Sequence, residues 1–294
     1  MLFFLKIIAK LPDRVLYILA DMLAWILRCV VRYRRATVDK NLLLVFPDED
    51  LLFRQDLAKR FYCHLADVVV EILMLSRLTP EELSARVEIV GLERLEVCAE
   101  RKLSTILLSA HQGNWEWMLA SVAAALSFPL DALYRPLHNP SADRFFMDMR
   151  TRFGAGMIPA ENAARVILKL RQEVHAFGIL ADQNPRRKDE KYWTTFMGIE
   201  TPVVIGPERI AKLTGYPLFY VATERVARGR YRILISPLAE APYNGNGEVS
   251  QKYMDAVDAH VRRQPESWMW SHHRWRYSKA ECPRNMAMAP KISR

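Results

Sequence analysis

The sequence predicts an α/β protein in which a mixed, largely parallel central sheet is flanked by helices and preceded by an N-terminal amphipathic helix. Three features of the chain predict this architecture. Short runs rich in Leu, Ile and Val recur after about residue 85, and helix-length segments separate them. The first 35 residues are both apolar and basic. A chain of 294 residues has room for one large domain with such a helical appendage.

The N-terminal segment, residues 1–35, is expected to associate with a membrane and to stay on the protein, because no small-residue cleavage site follows its apolar part. It carries seven basic side chains against Asp13 and Asp21, which suits the anionic cytoplasmic face of a bilayer. Its stretch 15–31 contains Arg28 and falls short of the ~20 apolar residues of a spanning helix. An interfacial helix or a tilted anchor is therefore favoured, and an ordinary core helix is the alternative.

The remainder, residues 36–294, is predicted to form one domain with a helical lead-in (36–85) and an α/β core (86–280). In residues 50–75 apolar side chains recur at every third or fourth position, which predicts an amphipathic helix. Three polar residues of that helix have spacings that a metal site uses. They are His64, Asp67 and Glu71. We interpret them as polar residues on one side of a packed helix, and no metal is expected.

Five runs in the core are predicted to be strands. They cover residues 103–110, 129–135, 175–181, 217–226 and 231–237. The last two are joined by a turn around Gly229 and are expected to pair as an antiparallel hairpin. The first three are separated by helix-length segments, which favours parallel pairing. One of the intervening helices is expected to start near Trp115.

Composition argues against several classes of protein. The four cysteines (Cys29, Cys63, Cys98, Cys282) are widely spaced and form no C-x-x-C motif, so neither a metal knuckle nor a redox pair is indicated. Free thiols in a reducing cytoplasm are expected. The net charge of +9 makes nucleic acid a rival to the membrane as a partner, but the sequence contains no zinc-ligand spacing, RNP motif or basic heptad region. No nucleic-acid partner is expected.

The segment HQGNWE, residues 111–116, is the strongest candidate for chemistry. It directly follows the predicted strand 103–110, and open α/β sheets bind their ligands at the carboxyl ends of strands. His111 can act as a general base near neutral pH. Glu116 is expected to bend back and hydrogen-bond to the second ring nitrogen of His111, which would orient the imidazole. The spacing alone is a weak signal, and a helix-capping His beside a solvated Glu is the alternative. The strand, the Gly-Asn turn and the two flanking tryptophans favour the catalytic pair.

Several ordered motifs extend this interpretation over nearly the whole chain. They are RYRRATVDKNLLLVFPDE, HQGNWEW, LYRPLHNP, ADQNP, TTFMGIETPVVIGPERIAKLTGYPL and QPESWMWSHHRWR. With these motifs the sequence resembles the late acyltransferases of lipid A biosynthesis, which belong to the wider lysophospholipid acyltransferase superfamily with an H-x4-D/E motif. The resemblance implies a glycerolipid-acyltransferase-like fold without cofactor. It matches the catalytic pair to His111 and Glu116, and the arginine after the following strand to Arg135.

The resemblance also implies the reaction and its partners. A fatty acyl group would pass from an acyl carrier protein thioester to a hydroxyl of a lipid A precursor, at the cytoplasmic side of the inner membrane. The loop RRKDEKYWTTFMG after ADQNP is longer than in many members, which leaves the acceptor open. Acylation of another membrane lipid, an aminolipid or a glycolipid, is therefore an alternative. A membrane-bound lipid-binding protein without turnover is the alternative from a different class.

The remaining candidate residues are substrate contacts. Arg135 is the candidate for stabilising the oxyanion that forms when a hydroxyl attacks a thioester. Its alternative is a surface arginine that pairs with Asp143 or with a lipid phosphate. The candidate substrate-binding residues are Asn114, Asp182, Gln183, Arg186, Arg187 and Thr201. Arg186 and Arg187 suit bidentate contacts to acceptor phosphates, and a solvated loop is the alternative for this basic run. The tryptophans of WMWSHHRWR are expected either at a bilayer interface or packed against the sheet.

Overall fold

The computed structural model describes residues 8–186 and 191–278, with the exception of the Lys191 side chain. Helices make up the first part of the described chain. They are α1 Asp13–Trp25, continued by a π-helical turn Ile26–Val30, then α2 Arg35–Val45, α3 Leu51–Leu75 and α4 Pro80–Ser84. The amphipathic helix predicted over residues 50–75 is confirmed as α3. The Asp50 side chain caps it by accepting a hydrogen bond from the Phe53 amide.

Strands and helices alternate in the rest of the chain. The strands are β1 Val87–Val90, β2 Thr105–Ser109, β3 Leu130–Tyr134, β4 Gly156–Pro159, β5 Ala176–Leu180, β6 Lys191–Phe196, β7 Ile199–Val204, β8 Leu218–Ala227 and β9 Arg230–Ala239. The helices are α5 Glu93–Glu100, α6 Trp115–Ala125, α7 Pro140–Thr151, α8 Ala163–Lys169, α9 Gly206–Thr214 and α10 Glu248–Arg263. Two 3₁₀ turns, Ala160–Asn162 and Pro265–Ser267, precede α8 and follow α10.

The central sheet has seven strands in the order β1-β9-β8-β2-β5-β3-β4. Strands β8, β2, β5, β3 and β4 run parallel to one another, whereas β8 and β9 form an antiparallel hairpin. Strand β1 pairs parallel with β9. The predicted mixed, largely parallel sheet flanked by helices is therefore confirmed. All five predicted strand runs correspond to strands of this sheet.

Four strands were not predicted from the sequence. Strands β1 and β4 have only four residues each, too few for a periodic pattern to emerge. Strands β6 and β7 pair antiparallel in a separate two-stranded sheet. The interpretation of the stretch from Lys191 as loop was wrong: its sequence, KYWTTF, is rich in aromatic and β-branched residues, which fit a strand, although a charged run precedes it.

Two apolar layers cover the faces of the central sheet because successive side chains of a strand point to opposite faces. On one face, Ile106 and Leu108 of β2 belong to a cluster with Met254 and Val257 of α10. On the other face, Leu107 belongs to a cluster that includes α3 and α6. All five residues of β2 are buried. This double cover explains why β2 appears in the sequence as an uninterrupted apolar run.

Helix α1 packs against α3 and leaves its other side exposed. Leu16 and Ala20 are fully buried, whereas Ile18, Met22 and Trp25 are 60%, 55% and 62% exposed. Ion pairs hold α1 in place: Asp13 contacts Arg77 and Arg86, and Asp21 contacts Arg228. Among the residues described, no helix is both long enough and apolar enough to cross a bilayer. One side of α1 is therefore part of the packed fold, and the other side exposes apolar side chains.

Candidate active site

The HQGNWE segment lies at the carboxyl edge of the parallel strands. His111 follows β2 by two residues, and its side chain is 21% exposed. The following Gly113 has a φ of +61°, and a Cβ atom at this position would lie 2.4 Å from the Thr223 carbonyl oxygen. Only glycine fits this turn. Helix α6 then begins at Trp115, as predicted from the sequence.

The side chain that binds His111 is Asp182. Its Oδ1 lies 2.7 Å from His111 Nδ1, and its Oδ2 accepts hydrogen bonds from the His111 amide and from Trp268 Nε1 at 3.1 and 3.0 Å. The strand order of the sheet explains why Asp182 contacts His111. Strands β2 and β5 are adjacent and parallel, with Ser109 opposite Leu180, so the residues two positions beyond each strand come together.

Asp182 is almost completely buried, at 1% exposure. Burial by itself raises the pKa of this carboxyl, but the charge and hydrogen bonds of His111 and the indole of Trp268 outweigh it, so the pKa of Asp182 lies below its ordinary value. An ionised Asp182 accepts the proton on His111 Nδ1. The Nε2 atom of the neutral ring then carries the lone pair, which is the arrangement that a general base needs.

Glu116 does not hydrogen-bond to His111, so that expectation was wrong. Its carboxylate is 3% exposed and is held by Arg150 of α7, with Nε to Oε2 at 2.8 Å and Nη2 to Oε1 at 2.5 Å. Trp115 Nε1 also donates to Oε1 at 3.2 Å. The start of α6 therefore directs Glu116 towards α7, while Asp182 occupies the ring nitrogen that Glu116 was expected to bind.

Arg150 is a site residue that sequence reasoning missed. Burial alone would lower its pKa, but the hydrogen bonds and the charge of Glu116 raise it above the ordinary value of an arginine, so Arg150 stays a cation. The two-point contact is the strong form of an arginine–carboxylate interaction. No spacing signal marks Arg150, because it lies 34 residues from Glu116 on a different helix.

Side chains of helix α3 hydrogen-bond to the HQGNWE segment. His64 Nε2 lies 3.2 Å from the Gly113 carbonyl oxygen, and Glu71 Oε2 accepts a hydrogen bond from Asn114 Nδ2 at 2.8 Å. Asp67 instead pairs with Arg225 and Arg228. Arg225 also lies 3.3 Å from His64 Nδ1, so it contacts both His64 and Asp67, whereas Glu71 has other partners. Within residues 8–186 and 191–278, no three His, Cys, Asp or Glu side chains are grouped to hold a metal ion.

The other predicted substrate contacts lie in different surroundings. Arg135 is exposed directly after β3, and the Asp143 carboxylate, its suggested partner, accepts a hydrogen bond from the Leu137 amide. Gln183 is half-buried beside Asp182, and Arg186 is exposed. Arg187 lies outside the described residues. Thr201 is fully buried in β7 and accepts a hydrogen bond from Trp275 Nε1. The direct substrate roles of these residues stay predictions.

The WMWSHHRWR segment packs against the core. Trp268 and Trp270 are 1% and 0% exposed, and Arg274, also 0% exposed, donates to Asn184 Oδ1 and to the Pro202 carbonyl oxygen. For the two buried tryptophans, packing in the protein is the correct interpretation, and the bilayer interface is not. Trp268 in addition holds Asp182, so this segment contributes to the site.

An apolar cavity lies between α3 and the 267–269 segment, beside Trp115. Its lining includes Phe61, Leu65, Val68, Trp115, Trp268 and Met269. Trp115 touches the His111 ring edge-on, with centroids 5.3 Å apart, and the Met269 amide donates to the His111 carbonyl oxygen. The cavity therefore borders the His111 segment.

Comparison with known proteins agrees with the motifs. A family model described as bacterial lipid A biosynthesis acyltransferase matches residues 1–277. A lipid A biosynthesis acyltransferase of Haemophilus influenzae is 23% identical over 276 residues, which cover 92% of this chain and 84% of that protein. A lipid A biosynthesis lauroyltransferase of Escherichia coli is 22% identical over 275 residues, which cover 92% of this chain and 89% of that protein.

Proposed function

Because the chain belongs to the bacterial lipid A biosynthesis acyltransferases, we propose that it transfers a fatty acyl group from an acyl carrier protein thioester to a hydroxyl of a lipid A precursor. The observation that carries the proposal is the contact between His111 and Asp182 at the carboxyl edge of the sheet. Glu116, which the family motif pairs with His111, acts in this proposal through its contact with Arg150. No metal or other cofactor takes part.

The first step activates the acceptor. Asp182 holds the proton of His111 on Nδ1, so Nε2 accepts the proton of the acceptor hydroxyl while its oxygen attacks the thioester carbonyl carbon. Asp182 stabilises the imidazolium that forms, as the aspartate does in a Ser-His-Asp triad. Here the nucleophile belongs to the substrate, so the protein itself is not acylated.

The second step releases the donor. The tetrahedral intermediate expels the carrier thiolate by breaking the carbon–sulfur bond, and the imidazolium returns its proton to that sulfur. The products are an ester and a free carrier thiol. Arg135 is the proposed cation for the oxyanion, since β3 is the neighbour of β5 and Arg135 follows β3 at the same edge as Asp182.

The surroundings of the site fit lipid substrates. The exposed apolar side of α1, flanked by basic residues, suits an interfacial position on the cytoplasmic face of the inner membrane. The net charge of +9 favours the approach of an acidic carrier protein.

The test compares two histidines in purified protein. His111→Ala is expected to lower the rate of transfer from acyl carrier protein thioester to lipid A precursor by about 10²–10⁴-fold, because the general base is lost. The matched control is His175→Ala. His175 also binds an aspartate, with Nδ1 2.6 Å from Asp131 Oδ2, but it lies at the opposite edge of the sheet.

Transfer at the wild-type rate in His111→Ala would refute the proposed base, and the same loss in His175→Ala would show a general structural effect. The acceptor is tested separately by the masses of membrane lipids from a strain that lacks the protein. A lipid A species short of one acyl chain is the expected result. Loss of an acyl chain from another lipid class would refute the proposed acceptor.

A further inference from the structure

Glu71 is a buried carboxylate bound by donors from three different parts of the chain. It is 0% exposed. Its Oε1 accepts a hydrogen bond from Tyr17 of α1 at 3.1 Å, and its Oε2 accepts from Asn114 Nδ2 at 2.8 Å and from Tyr231 of β9 at 2.6 Å. Glu71 therefore connects α1, the sheet and the HQGNWE segment through one side chain.

The contact with Asn114 decides how that residue is oriented. The Asn114 amide has one accepting end and two donor hydrogens on the other. Glu71 Oε2 accepts from the donor end of this amide, so Oδ1 turns to the Trp117 amide, from which it accepts a hydrogen bond at 3.0 Å. That hydrogen bond caps α6, the helix whose first turn carries Glu116.

Two further contacts fasten the same segment to α3. The carbonyl oxygen of Glu71 accepts a hydrogen bond from Trp117 Nε1 at 2.8 Å, and His64, two turns earlier, lies 3.2 Å from the Gly113 carbonyl oxygen. The chain between His111 and Glu116 is thus attached to α3 on both sides of Asn114. Its backbone position depends on that helix.

We propose that Glu71 is a positioning residue for acyl transfer, which acts through Asn114 to fix the catalytic segment at the start of α6. This inference rests on the proposed function, since it assigns a role towards the same reaction. Glu71 touches neither substrate nor the reacting atoms. Its contribution is the orientation of the Asn114 amide, and through it the relative placement of His111 and Glu116.

The cost of burying Glu71 supports a specific role. Burial raises the pKa of its carboxyl above the ordinary value, and the hydrogen bonds from Tyr231 and Asn114 offset this shift only in part. Burying such a group costs free energy unless hydrogen-bond donors surround it. Orienting Asn114 needs an acceptor at this position on α3, which an apolar side chain would not supply.

The decisive variant is Asn114→Ser. Serine still accepts a hydrogen bond from the Trp117 amide as a good N-cap residue, but it is too short to donate to Glu71. We expect kcat for the transfer to fall about tenfold or more with KM unchanged, because misplacement of the catalytic groups impairs the chemical step and not the binding of substrates. Measurements are made well below the unfolding temperature of the variant.

A double variant that exchanges the acid and the amide tests the link itself. In Glu71→Gln with Asn114→Asp, the introduced glutamine amide donates one hydrogen to the introduced carboxylate and the other to the Tyr231 hydroxyl oxygen, which shares this position. The hydrogen bond to residue 114 is restored with reversed polarity, and the introduced carboxylate still caps α6. This variant is expected to recover most of the kcat lost in Asn114→Ser. Asn139→Ser is the matched control, since Asn139 caps α7 by accepting hydrogen bonds from the Ser141 and Ala142 amides. We expect it to keep the wild-type kcat.

Hydrogen exchange of the amides in 111–117 gives a second readout that does not depend on activity. We expect faster exchange in Asn114→Ser than in the wild type, and slower exchange again in the double variant. Wild-type kcat and wild-type exchange in Asn114→Ser would overturn the inference, as would a double variant that folds but is no more active than Asn114→Ser. Failure of the proposed function is distinguished from this, because then the wild-type protein itself would not transfer acyl groups.

Discussion

Two acidic residues, Asp182 and Glu116, have different contacts around the HQGNWE segment because they belong to different elements of the fold. Asp182 lies two residues beyond β5, and His111 lies two residues beyond the adjacent strand β2, so the carboxylate contacts the imidazole. Glu116 lies on the first turn of α6 and faces Arg150 of α7. At the scale of single residues, the proposed base is therefore held by an acid that follows another strand, and the acid of the sequence motif joins two helices.

The pair of Glu116 and Arg150 should be energetically coupled. Replacing Arg150 by Met leaves a carboxylate that is 3% exposed without its cation, and we expect the free energy of unfolding to fall by about 3 kcal/mol. The double variant Glu116→Gln with Arg150→Met also removes the charge of the buried Glu116 carboxylate. The double variant is expected to be more stable than Arg150→Met alone, as measured by urea denaturation. If the double variant loses as much free energy of unfolding as Glu116→Gln and Arg150→Met lose together, the pair is not coupled.

At the scale of elements, α1 presents two different sides. One side contacts α3, and the other exposes Ile18, Met22 and Trp25. Tyr17 lies on the same helix and donates to Glu71, which also binds Asn114, so the position of α1 is linked to the HQGNWE segment. In the proposed function, α1 rests on the membrane through its exposed side and so brings the site near the lipid acceptor.

The exposed side of α1 should bind vesicles. Trp25→Ser is expected to weaken binding to vesicles that contain anionic phosphatidylglycerol by about tenfold, because a large apolar side chain no longer enters the interface. Its free energy of unfolding should not change. The control is Leu213→Ser on α9, where the side chain is 56% exposed, similar to Trp25. Equal weakening in both variants, measured by flotation with the vesicles, would argue against a specific role of α1.

How far the elements were predictable follows from their sequence patterns. Strands β2 and β5, and β8 as far as Ala222, are apolar runs because both of their faces are covered, and they were predicted. Strand β4 has four residues and ends in Pro159, and β6 begins beside a charged run, so neither stands out. His111 and Asp182 were both found at strand ends. Their contact was not predicted, because the patterns in the sequence do not show that β2 and β5 are neighbours in the sheet.

At the scale of the whole molecule, two buried histidines should make the fold sensitive to acid. Burial, with a contribution from Arg225, lowers the pKa of His64 to about 3, and burial with Arg263 lowers the pKa of His260 to about 3. In the unfolded chain both titrate near ~6.5. As pH falls below that value the unfolded state binds more protons than the folded state, so stability is lost progressively towards pH 3.

The expected size of this effect is measurable. His272, whose pKa burial lowers to about 4, adds a third such proton, and three protons bound only by the unfolded chain give a slope of up to about 4 kcal/mol per pH unit in the free energy of unfolding. Urea denaturation between pH 7 and 5 checks the slope, and His260→Gln should reduce it by about a third. A stability that does not change over this range would contradict the neutral, buried state of these histidines.

The most direct test of the catalytic centre compares two aspartates that bind histidines. Asp182→Asn removes the charge that orients His111, whereas Asp131→Asn makes the same change beside His175 at the opposite edge of the sheet. With folded protein at neutral pH, kcat for acyl transfer is expected to fall about 10²–10⁴-fold in Asp182→Asn and to stay near the wild-type value in Asp131→Asn. A wild-type kcat in Asp182→Asn would contradict the assignment of Asp182 and His111 as the catalytic pair.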